Sequence, residues 1–248
     1  SFTVPTNAVT AAASVGSRFR VTSATGATAT GSFSTGEVED HQVVILAPLT
    51  DFGDHLSYLD VSNTASSNLR IGATVDTEYA STRNAAATGD DITGNDDEDG
   101  VTIPAMTAGA PATMPVVVTN TSGVGAYLNA WIDFNNNGSF ADSGEQILVN
   151  GSVANGASSS TVSIALNVPA AAVTGVNVGV RVRLTTDSSP GFSGAGGTGE
   201  VEDHLVNIAA PTTDFGDFNL FADASSTLNA AMKLGALTDT EYAATKNA

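Results

Sequence analysis

The chain has 248 residues, no cysteine, and a formal net charge of −18 that comes from 26 acidic and 8 basic residues. Without cysteine, disulfide bonds and thiolate metal sites are excluded. A chain this acidic is not expected to bind nucleic acid, whose phosphates are contacted by Lys and Arg. Small and β-branched residues dominate, which predicts strands and turns rather than long helices. No run of about 18 apolar residues occurs, so no membrane span is predicted.

Residues 1–47 are predicted to be the C-terminal part of a repeating unit. Residues 36–41 read Gly-Glu-Val-Glu-Asp-His, and the same six residues return at 199–204. We call the separation between Gly36 and Gly199, which is 199 − 36 = 163 residues, the repeat offset. Other motifs return at the same offset, which predicts that the chain holds about one and a half copies of one unit. These further pairs are Arg18-Phe19-Arg20 with Arg181-Val182-Arg183, Asp51–Asp54 with Asp214–Asp217, and Asp76–Tyr79 with Asp239–Tyr242.

Residues 48–100 are predicted to be an acidic, largely irregular junction segment between packed units. They contain many Asp, Asn, Ser and Thr residues and few β-branched runs, and they end in the acidic run Asp96–Asp99. A stretch of this length without regular structure is uncommon in a compact domain unless something holds it in place.

Residues 101–209 are predicted to form one complete immunoglobulin-like β-sandwich, because seven short apolar segments are separated by turn signals. The single tryptophan, Trp131, falls in the middle of the third segment and is expected in the core. Residues 210–248 are predicted to begin the next junction segment. The seven segments are Val101–Pro104, Met114–Asn120, Tyr127–Phe134, Gln146–Val149, Ser159–Val168, Val176–Thr186 and Val201–Ile208.

Several of these motifs together resemble a known family. Gly199-Glu200-Val201-Glu202-Asp203, preceded by Arg181–Thr185 and by Ala130–Asn135, is similar to the bacterial GEVED domain, which is named after that motif. The acidic segment resembles the stretch that usually precedes such domains. The resemblance implies a non-catalytic β-sandwich that is repeated in large secreted or surface-attached bacterial proteins, many of them adhesin-like.

The loop that follows the third segment is the first candidate metal site. Oxygen donors at Asp133, Asn135 and Asn137, followed by Gly138, match the first half of a calcium-binding loop. An EF-hand would place an acid at the twelfth position, where Gly144 stands, so a calcium loop between strands is predicted instead. The remaining candidate ligands in this loop are Asp142 and Glu145. The alternative is a turn rich in Asn and Gly that binds no ion.

Acidic residues elsewhere supply the other candidate ligands. Adjacent carboxylates repel one another unless they are solvated or share a cation, although such a run is most often a solvated loop. On the last predicted strand, alternation should turn Val201 inward and its acidic neighbours outward, where Arg181 and Arg183 can meet them. In an immunoglobulin-like topology, the loop after Phe134 should lie near the end of that strand. The further candidate ligands are Asp96, Asp97, Asp99, Glu200, Glu202, Asp203, Asp214 and Asp217.

These patterns predict a structural repeat of a long secreted bacterial surface protein, which forms an extracellular filament or an adhesin stalk. Calcium at the junctions would stiffen a tandem array, because a bound ion orders loops that otherwise move. The expected partners are neighbouring repeats or identical subunits arranged end to end, with possible exchange of strands. The chain is interpreted as a fragment of such a polymer or as a subunit that completes its fold with a neighbour. The alternative is a glycan- or ligand-binding module of a secreted enzyme; no catalytic constellation occurs in the chain itself.

Overall fold

The computed structural model of the chain describes residues 4–5, 8, 10, 15–89, 97–218 and 220–244. All regular structure in these residues is β-strand, and none of them is helical. The all-β prediction is therefore confirmed for the described part of the chain. Within that part, no helix is long and apolar enough to cross a membrane. Contacts divide the chain into two compact units, Ser1–Pro48 and Leu49–Ala248.

The first unit contains an antiparallel hairpin of β1 (Val15–Thr22) and β2 (Gly36–Val43). Charged and apolar side chains alternate along β1, as the sequence predicts for a strand with two different faces. Arg18 lies opposite Asp40, and the two form a bidentate ion pair with N–O distances of 2.6 Å. Every residue of β2 is exposed, so this ion pair is in contact with solvent.

The second unit contains the other strands, of which β7 to β12 are longer than those before and after them. In chain order they are β3 (Thr50–Phe52), β4 (Val61–Thr64), β5 (Leu69–Ile71), β6 (Met106–Thr107), β7 (Pro111–Asn120), β8 (Ala126–Ile132), β9 (Gln146–Val153), β10 (Ala157–Asn167), β11 (Asn177–Thr185), β12 (Gly194–Ala209), β13 (Thr213–Phe215) and β14 (Ser225–Thr227). One sheet has the order β10-β7-β5, and a larger sheet has the order β3-β4-β12-β11-β8-β9, with β6 also paired to β12. β13 and β14 form a separate hairpin.

The main core combines side chains from both sheets. Successive side chains of a strand point to opposite faces, so β8 and β11 each supply a row of apolar residues at every second position. These rows pack with the apolar row of β7 and with residues of β5 in one buried cluster. The members from these four strands are Ala126, Leu128, Ala130, Ile132, Val178, Val180, Val182, Leu184, Met114, Val116, Val118, Leu69 and Ile71.

Six of the seven predicted apolar segments coincide with the observed strands β7 to β12. The first differs, because Val101 forms only an isolated bridge with Val116, and the strand β6 begins at Met106. β12 is longer than predicted, since it starts at Gly194 within a glycine-rich stretch. Those early residues are extended because β4 pairs with them in parallel, a partner that local sequence does not reveal.

The acidic segment is part of the second compact unit. In its described residues, the backbone outside β3, β4 and β5 is irregular, and from Leu49 onward these residues belong to the same unit as the sandwich strands. β4 pairs with β12 and β5 pairs with β7, so the segment contributes to both sheets. Leu69 and Ile71 are fully buried in the main core, which explains how so long an irregular segment is held in place.

Strand pairs that are one repeat offset apart in the chain have the same register. Val15 pairs with Val43 and Thr22 with Gly36 in the first hairpin, as Val178 pairs with Val206 and Thr185 with Gly199 between β11 and β12. The hairpin of β13 and β14 has the register of β3 and β4, because Thr213 pairs with Thr227 as Thr50 pairs with Thr64. The repeated sequence motifs therefore adopt the same local pairing.

Candidate functional site

The candidate site is the contact between the acidic segment and the two faces of the strand pair β11–β12. On the face away from the main core, Arg181 lies opposite Asp203 and both side chains are fully buried. The guanidinium donates two hydrogen bonds of 2.7 Å to the two carboxylate oxygens. The acidic segment adds a third donor, since the backbone N–H of His55 bonds to Asp203 at 3.1 Å. Burial alone would raise the pKa of Asp203, but the charge and hydrogen bonds of Arg181 outweigh it and lower that pKa.

Arg183 is buried on the same face and is held by oxygen atoms of neighbouring loops. Its Nε donates to Asn63 Oδ1 at 3.0 Å, and its terminal nitrogens donate to the carbonyl oxygens of Ser62, Gly191 and Gly194 at 2.7–3.1 Å. Burial lowers the pKa of Arg183. The guanidinium therefore ties the acidic segment and the start of β12 to β11, because five N–H donors in a fixed fork can bond several carbonyls at once.

The predicted pairing of Glu200 and Glu202 with the two arginines is wrong. Both acids lie on the core face of β12, where Glu200 is opposite Leu184 and Glu202 opposite Val182. Backbone N–H groups of the acidic segment and of the residue after it donate to these acids. Ile71 N–H donates to Glu200, and the N–H groups of Gly100 and Val101 donate to Glu202 at 2.9 and 3.1 Å. Val201 lies on the other face, so the expected inward and outward sides of this strand are reversed.

Further carboxylates lie near Glu200. Asp51 accepts a hydrogen bond from Val201 N–H at 2.7 Å, and Asp97 accepts one from Asp76 N–H at 2.9 Å. Burial raises the pKa of Asp97 to about 6. It also raises the pKa of Glu200 well above its usual value, and the charges of Asp51, Glu202 and Asp97 add to the effect. One oxygen each of Glu200, Asp97 and Asp76 is buried without a hydrogen-bond partner.

The predicted calcium loop follows β8, and its side chains mostly bond to one another and to the loop backbone. Asp133 is fully buried and accepts from the N–H groups of Asn137 and Gly138 at 3.1 and 2.9 Å. The amide groups of Asn135 and Asn137 both donate to Asp142, which lowers the pKa of that carboxyl. Glu145 accepts from Asp142 N–H at 3.2 Å and keeps one buried oxygen without a partner. Calcium binding by this loop stays a prediction.

Tyr58 connects this loop with the acidic segment, and sequence reasoning did not identify it. Its hydroxyl donates to Asp133 at 3.0 Å and accepts from Gly179 N–H at 3.0 Å. Its ring stacks on Phe140 with centroids 4.0 Å apart, in a small buried cluster that includes Trp131. Trp131 is thus buried as expected, but beneath the acidic segment rather than between the two sheets.

The remaining predicted ligands are dispersed. Asp96 lies outside the described residues, and Asp99 accepts from Ala73 N–H and the Thr74 hydroxyl at 2.8 and 3.1 Å. Asp217 is exposed after β13. Asp214, in contrast, forms a group with Asp239 and Glu241, and in the described chain this is the only trio of acids whose ligand atoms lie within 4.8 Å of one another. The repeated motif Asp-Thr-Glu-Tyr was the available signal for the last two residues.

The first glycine of the motif is required by a close contact between β11 and β12. Gly199 has a φ of 151°, and a Cβ atom at this position would lie 1.8 Å from the carbonyl oxygen of Leu184. Gly36 makes the equivalent contact in the first hairpin, with a φ of 129° and a distance of 2.0 Å to the carbonyl oxygen of Val21. A side chain at either position would force the strands apart.

We therefore expect Gly199→Ala to lower the free energy of unfolding of the second unit by about 1–3 kcal/mol, the usual cost of backbone strain of this kind. Urea denaturation followed by the fluorescence of Trp131 measures this effect. Gly125→Ala is the control, because a Cβ atom there would meet nothing within 4 Å. A Gly199→Ala protein that is as stable as the Gly125→Ala protein would contradict the prediction.

Comparison with known proteins bears on the strand pair described above. No curated protein and no solved structure matches the chain. Residues 127–207 match the family model described as the GEVED domain. This range begins in β8 and ends in β12, so it includes the buried ion pair of Arg181 and Asp203 and the acidic motif itself. The resemblance predicted from the motifs is confirmed over residues 127–207 of the second unit.

Proposed function

We propose that the chain is a non-catalytic structural repeat of a secreted bacterial surface protein, and that it forms part of an extracellular filament or an adhesin stalk. One observation carries this proposal. The first hairpin has the register of β11–β12, and the hairpin of β13 and β14 has the register of β3–β4, both at the repeat offset. Parts of the unit thus occur again before it and after it along the chain, as in a tandem array.

The exposed apolar side chains of the C-terminal segment, residues 210–244, support the same proposal. Met232 and Leu234 are 80% and 98% exposed. Their equivalents, one repeat offset earlier in the chain, are Leu69 and Ile71, which are fully buried against the sandwich. Phe221 is likewise exposed where its equivalent, Tyr58, is buried. A segment with this pattern is suited to dock on a further sandwich of the same kind, either later in a longer chain or in a second molecule.

In this proposal each acidic segment belongs to the sandwich that follows it, and successive immunoglobulin-like sandwiches are joined end to end. The arrangement of β8, β11 and β12 as neighbours in one sheet supports that fold. A docked C-terminal segment would place β14 beside the β12 equivalent of the next sandwich, as β4 lies beside β12. Calcium would stiffen the contact, which is where buried carboxylates collect.

Extending the chain tests the proposal. A further copy of residues 86–209 is attached after Ala248, which continues the sequence at the repeat offset. We expect backbone amides in 213–218 and 220–234 to become protected from hydrogen exchange to the same degree as those in residues 50–71, because they would then be bonded and buried alike. The unextended chain is the control. If those amides exchange equally fast in both proteins, the segment does not dock and the array is refuted.

A further inference from the structure

Five acidic positions lie where the acidic segment packs along β12. We propose that they bind one divalent cation of the calcium class, with Asp51, Asp76 and Glu78 from the segment, Asp97 from its end, and Glu200 from β12 as ligands. This deepens the calcium component of the proposed function, since it locates the ion and adds three ligands, Asp51, Asp76 and Glu78, that the motifs did not identify.

The first argument comes from buried oxygen atoms that have no hydrogen-bond partner. Glu200 is fully buried and Asp97 is 4% exposed, yet Oε1 of the former and Oδ1 of the latter lack a donor. The other oxygen of each carboxylate is satisfied, by Ile71 N–H and Asp76 N–H respectively. Burying an unpaired carboxylate is costly. A metal ion would supply the positive charge that backbone N–H donors do not.

The second argument is the sign of the neighbouring charges. The charged groups that act on Glu200 are Asp51, Glu202 and Asp97, all of them acidic. Asp97 in turn is affected by Asp76 and Glu202. The other buried acids of this strand have a basic residue as a partner. Asp203 is paired with Arg181. Glu202 accepts hydrogen bonds from two backbone N–H groups and one from His204 at 2.9 Å. Among the buried acids of β12, Glu200 is therefore the one for which the main charge effects on the pKa all come from acidic groups.

The third argument is independent of this cluster. Asp214, Asp239 and Glu241, whose ligand atoms lie within 4.8 Å of one another, occupy the positions one repeat offset after Asp51, Asp76 and Glu78. These three positions are drawn together by local pairing, since Glu241 N–H bonds to the Thr213 carbonyl at 2.7 Å, as Glu78 N–H bonds to that of Thr50 at 2.8 Å. In the packed copy, Glu200 is affected by the charge of Asp51, and Asp97 accepts a hydrogen bond from Asp76 N–H at 2.9 Å.

The donor set indicates which cation fits. All five ligands are carboxylates, and hard oxygen donors of this type suit Ca²⁺, which takes about six to eight oxygen ligands, or Mg²⁺, which requires a smaller octahedral set. Sites for Zn²⁺ are built mainly from Cys and His, and the chain has no cysteine. Residues of the segment and of β12 would share the ion, so its binding would hold the segment on the sandwich.

Calcium titration of the full 248-residue protein, after removal of metal with EDTA, tests the site. We expect CaCl2 to raise the urea midpoint reported by Trp131, and Glu200→Gln to weaken calcium binding at least tenfold in calorimetry. In EDTA the same variant should have a higher midpoint than the unmodified protein, because glutamine keeps the acceptor for Ile71 N–H and removes the repelled charge. Glu37→Gln is the matched control, since Glu37 is the equivalent residue of the exposed hairpin, and it should leave both quantities unchanged.

Asp76→Asn is a second variant in case Glu200→Gln does not fold, and it should also weaken calcium binding at least tenfold. The site is refuted if CaCl2 does not shift the midpoint, or if both variants keep the full shift. It is equally refuted if Asp142→Asn abolishes the shift while Glu200→Gln does not, because the ion would then lie in the loop after β8. MgCl2 in place of CaCl2 identifies the cation. None of these results depends on a second sandwich, so a failure here leaves the hydrogen-exchange test of the array intact.

Discussion

Arg181→Met is expected to destabilise the second unit by about 3–5 kcal/mol, because it leaves Asp203 buried without its counter-charge. Asp203 would retain only the single N–H of His55 as a donor within hydrogen-bond distance. The guanidinium also donates to the carbonyl oxygens of Leu59 and Phe192. Methionine keeps the unbranched aliphatic part of the side chain but supplies no donor, so these two carbonyls would lose a partner as well.

Urea denaturation followed by Trp131 fluorescence measures this loss, since the single tryptophan lies in the second unit. Arg18→Met is the matched control. Arg18 pairs with Asp40 in the same register, but both side chains are in contact with solvent, at 44% and 58% exposure, and exposed pairs contribute little. The double variant Arg181→Met/Asp203→Leu should regain most of the stability, because an apolar pair of similar volume often replaces a buried ion pair. If Arg181→Met alone is as stable as the control, the ion pair does not hold the unit together.

Ile71→Ala is expected to lower the free energy of unfolding of the second unit by about 2–5 kcal/mol, the usual range for truncating a fully buried aliphatic side chain. Ile71 belongs to the main core, pairs with Val118 across β5 and β7, and donates its N–H to Glu200. The large effect would show that the acidic segment is an integral part of the fold.

Leu234→Ala is the matched control, because Leu234 is the equivalent of Ile71 at the repeat offset and is almost completely exposed. It should leave the urea midpoint of the unextended protein unchanged, since surface substitutions of this kind have small effects. In the chain extended by residues 86–209, the same substitution should become destabilising. A Leu234→Ala variant of the unextended protein that loses as much stability as Ile71→Ala would contradict the assignment of this segment as undocked.

The strands from β7 to β12 could be predicted because their apolar residues alternate locally. The repeat could be predicted because Gly-Glu-Val-Glu-Asp-His returns unchanged. The face of β12 on which Glu200 lies could not be predicted, since alternation assigns apolar residues to the core and acids to solvent. The structure reverses this because Ile71, Gly100 and Val101 bring backbone donors to the core face from distant parts of the chain.

The role of Tyr58 could not be predicted from the sequence either. Nothing in its surroundings in the sequence indicates that it bonds to Asp133 and Gly179. Asp76 and Glu78, which we propose as ligands, are part of a repeated motif. Their position beside β3 and β4 could not be predicted, because these strands are too short to be recognised from periodicity. Contacts between residues far apart in the chain thus account for most of what the sequence did not reveal.

The position of β12 as the partner of β4, β6 and β11 has a consequence for the order of events during translation. The hydrogen bonds from Ile71 to Glu200 and from Val201 to Asp51 join residues 129 and 150 positions apart. The acidic segment therefore leaves the ribosome long before its strand partner, and such non-local pairing slows folding. In an array of nearly identical copies, the preceding β12 is already occupied by its own segment at that time. Vectorial synthesis would thus protect each segment from joining the wrong sandwich.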